Sequence, residues 1–246
     1  MKIAMDKLVA GGIAAVIAAL TLTAVLSVDG PVHAAQAQAP VTVPAPSGSA
    51  DVRQPGITRA QVVFAGGCFW GVQGVFQHIN GVDNAVSGYI GGSAGDASYP
   101  RVGSGRTGHA EAVQVTYDPS KVSYGQLMQV FFSVVHDPTL LNRQGPDRGT
   151  QYRSAVYVDD PKQRDATRAY IDQLQRARAY AAPVVTQVDG GKRFYPAEGY
   201  HQNYLTLHPE SQYIQINDAP KVAALKQQYP ALYREKPRLV STLSAR

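Results

Sequence analysis

The chain has 246 residues, 44% of them hydrophobic and 17% charged, with a formal net charge of +5 and a single cysteine. This is enough apolar material for one sizeable core with additional segments. The lysines and arginines are scattered, which provides no dense basic face for nucleic acid, and one cysteine excludes both an intrachain disulfide and the usual Cys/His zinc sets.

At the start, Lys2 and Lys7 precede an uncharged run from Leu8 to Val28, and small residues follow at Ala34, Ala35 and Ala37. This is a secretory signal pattern. The run is also long enough to span a bilayer if it is kept. Residues 1–34 are therefore expected to act as a signal peptide or a retained anchor. Either outcome exports the remainder, and a periplasmic location is expected. Residues 35–57 are rich in Pro, Ala and Ser without a periodic apolar face, which predicts a flexible linker. A folded domain is expected over 58–233, followed by a basic tail over 234–246.

Within the domain, AQVVFA (60–65) is a continuous apolar run suited to a central strand. Gly66 and Gly67 predict a turn. From Phe69, apolar residues at 69, 72, 75, 76 and 79 have helical spacing. Strand character returns over 83–92, before a Gly-rich loop. HAEAVQVTYD (109–118) alternates and puts His109, Glu111, Val113, Val115 and Tyr117 on one face. A helix is predicted over 123–135 with Ser123 as N-cap, then a strand over 150–158. A polar-faced helix follows over 160–180, with Asp160 as N-cap and Pro161 at its first position. A strand over 183–188 and a helix over 219–229 complete the set. The mixture predicts an α+β two-layer sandwich, in which a mixed, largely antiparallel sheet carries helices packed on it.

Cys68 falls where the first strand gives way to the first helix. Free backbone N–H groups and the helix dipole favour a thiolate there. Cys68 is thus a candidate nucleophile, and the alternative is a small buried core thiol. Phe69 and Trp70 follow it. Adjacent helical residues diverge by about 100°, so one ring can line a pocket beside the thiol. Aromatic rings suit an S-methyl group.

GCFWG (67–71) is joined by GHAEAV (108–113), HDPT (136–139), RQGPDRGTQYRSAVY (143–157) and AEGYHQNYL (197–205). Together these segments resemble the peptide methionine sulfoxide reductase family, A type, which acts on the S epimer. The resemblance runs from about Gln61 to about Tyr233 and keeps the order and rough spacing of the family's motifs. It implies thiol-dependent reduction of the S epimer of methionine sulfoxide, protein-bound or free, to methionine. Cys68 then attacks the sulfoxide sulfur and becomes a sulfenic acid. Glu111 donates to the sulfoxide oxygen, provided that its strand face is buried and its pKa raised. The resemblance further implies that Tyr99 and Tyr152 hold that oxygen and that Asp147 orients polar groups or water nearby. Phe69 and Trp70 are the expected seat for the methyl group. His136 and His201 stay open as partners of Cys68 in a Cys-His pair or as structural residues. No metal or organic cofactor is implied.

Many family members carry further cysteines, often in a C-terminal tail. Here REKPRLVSTLSAR (234–246) has none. Recycling therefore calls for an external thiol, from a thioredoxin-like or glutaredoxin-like protein or a small thiol. The expected partners are that reductant and oxidised exported proteins or free methionine sulfoxide, with the protein itself a monomer. Three rival readings stand beside this one. A Cys-His hydrolase or transferase leaves Glu111 and the tyrosine pair without a role. A non-enzymatic exported binding module has an inert Cys68. A peroxide-reducing single-cysteine protein leaves a sulfoxide untouched.

Overall fold

The computed structural model describes residues 41–50 and 56–241. The predicted signal segment, the linker at 35–40 and 51–55, and the last residues of the tail lie outside the described residues. In chain order the elements are β1 (Ala60–Gly66), α1 (Phe69–Gln77), β2 (Val82–Ile90), α2 (Tyr99–Val102), β3 (Ala110–Tyr117) and α3 (Tyr124–Val130). A short hairpin follows, β4 (Arg143–Gln144) and β5 (Asp147–Arg148), then β6 (Ser154–Tyr157) and α4 (Pro161–Arg176). The chain ends with β7 (Gln187–Asp189), β8 (Phe194–Pro196), α5 (Tyr204–Leu207) and α6 (Ala219–Gln228).

Six strands form one sheet in the order β7-β6-β1-β3-β2-β8. Every pairing is antiparallel except β6 with β7. The mixed, largely antiparallel sheet with helices on it is the α+β arrangement that the pattern predicts. β1 is flanked by β3 and β6 and is buried on both faces, which explains its unbroken apolar run. Val62 and Phe64 join the core under α1, α3 and α4, while Val63 and Ala65 join a smaller cluster on the other face. β3 follows the same parity: Val113, Val115 and Tyr117 face the helices, and Ala110 and Ala112 face away. Glu111 shares the parity of Val113 and is only 2% exposed.

The predicted helix over 123–135 divides in two. Ser123 caps α3 through a reciprocal capping box with Gln126. The chain then widens into a π-helical turn over Phe131–Val135, and His136 Nδ1 lies 3.1 Å from the Phe131 carbonyl oxygen. The strand predicted over 150–158 shortens to β6, because Thr150–Tyr152 form a 3₁₀ turn after Gly149. Residues 183–186 precede β7 rather than belonging to it. Asp160 caps α4 as expected, accepting from the Lys162 backbone N–H at 2.8 Å. Three of the segments that the pattern missed, α2, α5 and the β4–β5 hairpin, are too short to show a period.

The flexible linker expected over 35–57 does not hold for residues 41–50, which pack as a strap on α3 and α4. Val43 and Ala50 are buried. The Val41 N–H donates to the Ser133 carbonyl at 3.2 Å, and the Tyr170 hydroxyl donates to the Pro44 carbonyl at 2.7 Å. Composition alone gives this segment no periodic face, since only isolated side chains find seats. The C-terminal tail is also docked. The Arg234 and Arg238 N–H groups donate to the carbonyls of His78 and Gln77, so the packed domain continues beyond Tyr233.

Candidate active site

The turn from β1 into α1 is made by Gly67, whose φ is 92°, a region that side chains rarely tolerate. A Cβ there would also collide with the Gln144 side chain. This turn sets Cys68 at the N-cap of α1, buried at 9% exposure. Burial pushes the Cys68 thiol well above its ordinary range, and Glu111 when ionised, with the Asp218 and Asp147 carboxylates, pushes the same way. The Trp70 backbone N–H acts in the opposite direction. The expectation of a resting thiolate is thus corrected: desolvation first, with the Asp218 and Asp147 carboxylates, outweighs one helix terminus. Cys68 rests as a thiol.

Glu111 reaches across from β3 and accepts the Phe69 backbone N–H at 3.1 Å. A free donor of the helix terminus is therefore used by the carboxyl group. Burial pushes the Glu111 carboxyl up to about 8, against the lowering effect of the Phe69 N–H. It holds its proton at neutral pH and can donate it.

Tyr99 opens α2, and its N–H donates to Glu198 Oε1 at 3.0 Å. The other Glu198 oxygen accepts the Tyr89 hydroxyl at 2.8 Å, and Tyr89 pairs with Glu111 across β2 and β3. Tyr99 is thereby tied to the strand pair that carries the acid. Tyr152 ends the 3₁₀ turn and is half-buried. Both phenols are raised by burial first, and both feel Glu111, Cys68 and Asp147. The five residues predicted as catalytic, Cys68, Tyr99, Glu111, Asp147 and Tyr152, therefore gather within electrostatic range of one another.

Asp147 lies on β5, opposite Gln144 on β4. It accepts the hydroxyl of Tyr213, and burial raises its carboxyl. Cys68, Gln144, Asp147, Tyr213 and Lys221 line a cavity of about 30 Å³, room for one or two waters.

The two aromatic residues after Cys68 part as helical geometry requires. Phe69 is fully buried, with its ring 5.9 Å from Tyr89 and 5.0 Å from His201. Trp70 is half-buried and stacks on Tyr204 at 3.8 Å, with Tyr213 edge-on at 5.7 Å. Trp70 therefore has ring surface left to offer a ligand, and Phe69 backs the site from the core.

Neither histidine pairs with Cys68. His136 has Nδ1 beside the Phe131 carbonyl and Nε2 2.6 Å from Ser154 Oγ, and burial lowers its pKa to about 3. His201 Nδ1 accepts from Trp70 Nε1 at 3.1 Å. That bond fixes the proton of the neutral ring on Nε2, so His201 is not a base for the thiol. Sequence reasoning missed Tyr213, Glu198, Asp218 and Lys221. Nothing distinguishes Tyr213 among 14 tyrosines until the fold brings it to Asp147.

Comparison with known proteins places this fold and site among oxidoreductases. The family model for peptide methionine sulfoxide reductase matches residues 60–232, and the chain belongs to that family. It is 63% identical over 182 residues to the peptide methionine sulfoxide reductase MsrA 2 of Mesorhizobium japonicum, covering 74% of this chain and 93% of that one. It is 47% identical over 176 residues to MsrA of Deinococcus radiodurans, covering 72% and 85%. Among solved structures it resembles the reduced form of Mxr1 from Saccharomyces cerevisiae, with a TM-score of 0.59, 30% identity and coverage of 68% and 94%. Methionine sulfoxide reductase A of Corynebacterium diphtheriae gives a TM-score of 0.55 at 31% identity, with coverage of 72% and 88%.

Proposed function

We propose that the protein reduces the S epimer of methionine sulfoxide, free or within exported proteins, through attack by Cys68 and recycling by an external thiol. The observation that carries this reading is the buried Glu111 carboxyl bonded to the Phe69 N–H, one residue from the only cysteine, where burial favours its protonated form. A hydrolase reading needs a histidine base for the thiol, and both candidate rings are committed elsewhere.

In the first half of the cycle Glu111 donates its proton to the sulfoxide oxygen, which makes the substrate sulfur electrophilic. The phenols of Tyr99 and Tyr152, kept as O–H by burial, donate to the same oxygen. The Glu111 carboxylate so formed takes the Cys68 proton, and the sulfur attacks. The substrate S–O bond breaks and a Cys68 S–O bond forms. Substrate sulfur is reduced by two electrons, and Cys68 is oxidised to a sulfenic acid. In the second half an external thiol displaces water from Cys68–SOH to give a mixed disulfide. A second thiol releases Cys68–SH and a disulfide of the reductant. A thioredoxin-like protein, a glutaredoxin-like protein or a small thiol can fill this role. We infer export from the signal pattern of residues 1–34.

Single-turnover chemistry tests the proposal. Protein mixed with the S sulfoxide and no reductant is expected to yield one methionine per Cys68 and a sulfenic acid trappable at that residue. Sulfenic acid formed with peroxide, but no methionine from sulfoxide, would instead establish the peroxide-reducing reading.

A further inference from the structure

The cavity beside Cys68 has a wall that this mechanism does not use. It is made by the turn into α6, where Lys221 Nζ lies 3.0 Å from Asp218 Oδ1. The Asp218 side chain is 0% exposed and that of Lys221 is 21% exposed. Burying such a pair carries a desolvation penalty. Capping does not explain it. Asp218 stands at the N-cap of α6, yet its side chain accepts no N–H of that helix, and Oδ2 is buried without a partner. The carboxylate lies instead against Gly71 in the first turn of α1. A Cβ on Gly71 would collide with it and come within 3.0 Å of Lys221 Nζ. The final glycine of GCFWG therefore makes room for the ion pair one turn from Cys68.

The groups around the sulfur are mostly acidic or neutral. β3 supplies Glu111, β5 supplies Asp147 and the turn before α6 supplies Asp218. Tyr99, Tyr152 and Tyr213 also interact with Cys68, and the neutral His136 lines the cavity. Lys221 is the one lysine or arginine among the described residues lining it.

We propose that Lys221, held by Asp218, is a positioning residue for the return of Cys68 to its reduced state, offsetting the surrounding carboxylates so that the sulfur can leave as thiolate from a mixed disulfide. This rests on the single-thiol cycle proposed above. In the step concerned, a thiolate attacks the outer sulfur of Cys68–S–S–R. The bond to Cys68 breaks, a new disulfide forms on the reductant, and Cys68 takes the electron pair and then a proton from solvent. A less basic leaving thiol departs faster. Without Lys221, the Asp218 carboxylate acts on the sulfur uncompensated.

The test uses the full-length protein carrying a Cys68–glutathione mixed disulfide, with reduction by excess dithiothreitol followed by intact mass. Lys221→Met is expected to slow release roughly three- to ten-fold, and Lys221→Arg to restore most of the rate. Asp218→Asn is expected to speed release, and the double variant to return toward the wild type. The pH profile of Cys68 alkylation should move up in Lys221→Met and down in Asp218→Asn. Opposite signs from the two partners of one ion pair are not what a loss of packing produces. An unchanged rate and profile in Lys221→Met, or shifts of the same sign in both single variants, would overturn the proposal. Failure of the underlying cycle is read separately, as no methionine from wild-type protein and sulfoxide, because the exchange assay contains no sulfoxide.

Discussion

At the residue scale, the account turns on two groups whose burial raises both pKa values. Cys68 must lose a proton to attack, and Glu111 must keep one to donate. Glu111→Gln keeps a side-chain carbonyl for the Phe69 N–H and removes the acid, so the first half-reaction should slow by about 10²–10⁴-fold with the protein still folded. In the wild type, the rate should fall as pH rises through about 8, where Glu111 ionises. Stability follows the same group. The unfolded carboxyl titrates near its ordinary value of 4.5 and the folded one near 8, so the folded state holds the proton more tightly. Its stabilising contribution is complete below the lower value and is lost as pH rises through the upper one. Glu111→Gln should therefore melt higher than the wild type at pH 9, with the gap narrowing toward pH 5. A melting difference that does not change with pH would contradict the assigned burial.

At this scale the sequence shows which residues are candidates for the chemistry, and it does not show their state. The position of Cys68 after GG and before an amphipathic helix makes it a candidate nucleophile, with a small buried core thiol as the alternative. Its protonation state is not legible there, because a helix terminus is visible in sequence while desolvation and the carboxylates brought from β5 and the α6 turn are not. Glu111 was placed on the correct face by alternation alone.

At the scale of elements, the segment YHQN (200–203) bonds α1 to β2 and to the tail. His201 accepts from Trp70. Gln202 Oε1 accepts from the Ser87 N–H and from Gln73, and its Nε2 donates to the Ser87 and Ala197 carbonyls. Asn203 accepts from Gln77 and also bonds the backbone of Val240 in the tail. Gln202→Leu leaves several buried groups unpaired and should cost about 3 kcal/mol in denaturant unfolding. A loss under about 0.5 kcal/mol, the range of an ordinary surface change, would show that the clamp is dispensable. The period of α4 and the unbroken apolar run of β1 are legible in the sequence. The hairpin that delivers Asp147 and Gln144 is not, because two-residue strands have no period and are defined by their partners.

At the scale of the whole molecule, the boundary of the folded unit moves outward. Composition marks residues 41–50 as linker, but Val43 is 3% exposed against the helices. Val43→Asp should destabilise the protein by roughly 2–3 kcal/mol, and cleavage after residue 50 should lower the melting temperature. An unchanged unfolding midpoint would return the strap to the linker. Within the tail, Val240 bonds Asn203 and the Arg238 N–H donates to the Gln77 carbonyl, so these residues belong to the folded unit as well.

The central claim, that Cys68 reduces one epimer of methionine sulfoxide with Glu111 as acid, is tested most directly by supplying the S and R epimers separately with dithiothreitol. The wild type, Cys68→Ser and Glu111→Gln should be compared. The account predicts loss of the S epimer alone, abolished in Cys68→Ser and strongly slowed in Glu111→Gln. Equal loss of both epimers, or turnover that survives in Cys68→Ser, would contradict it.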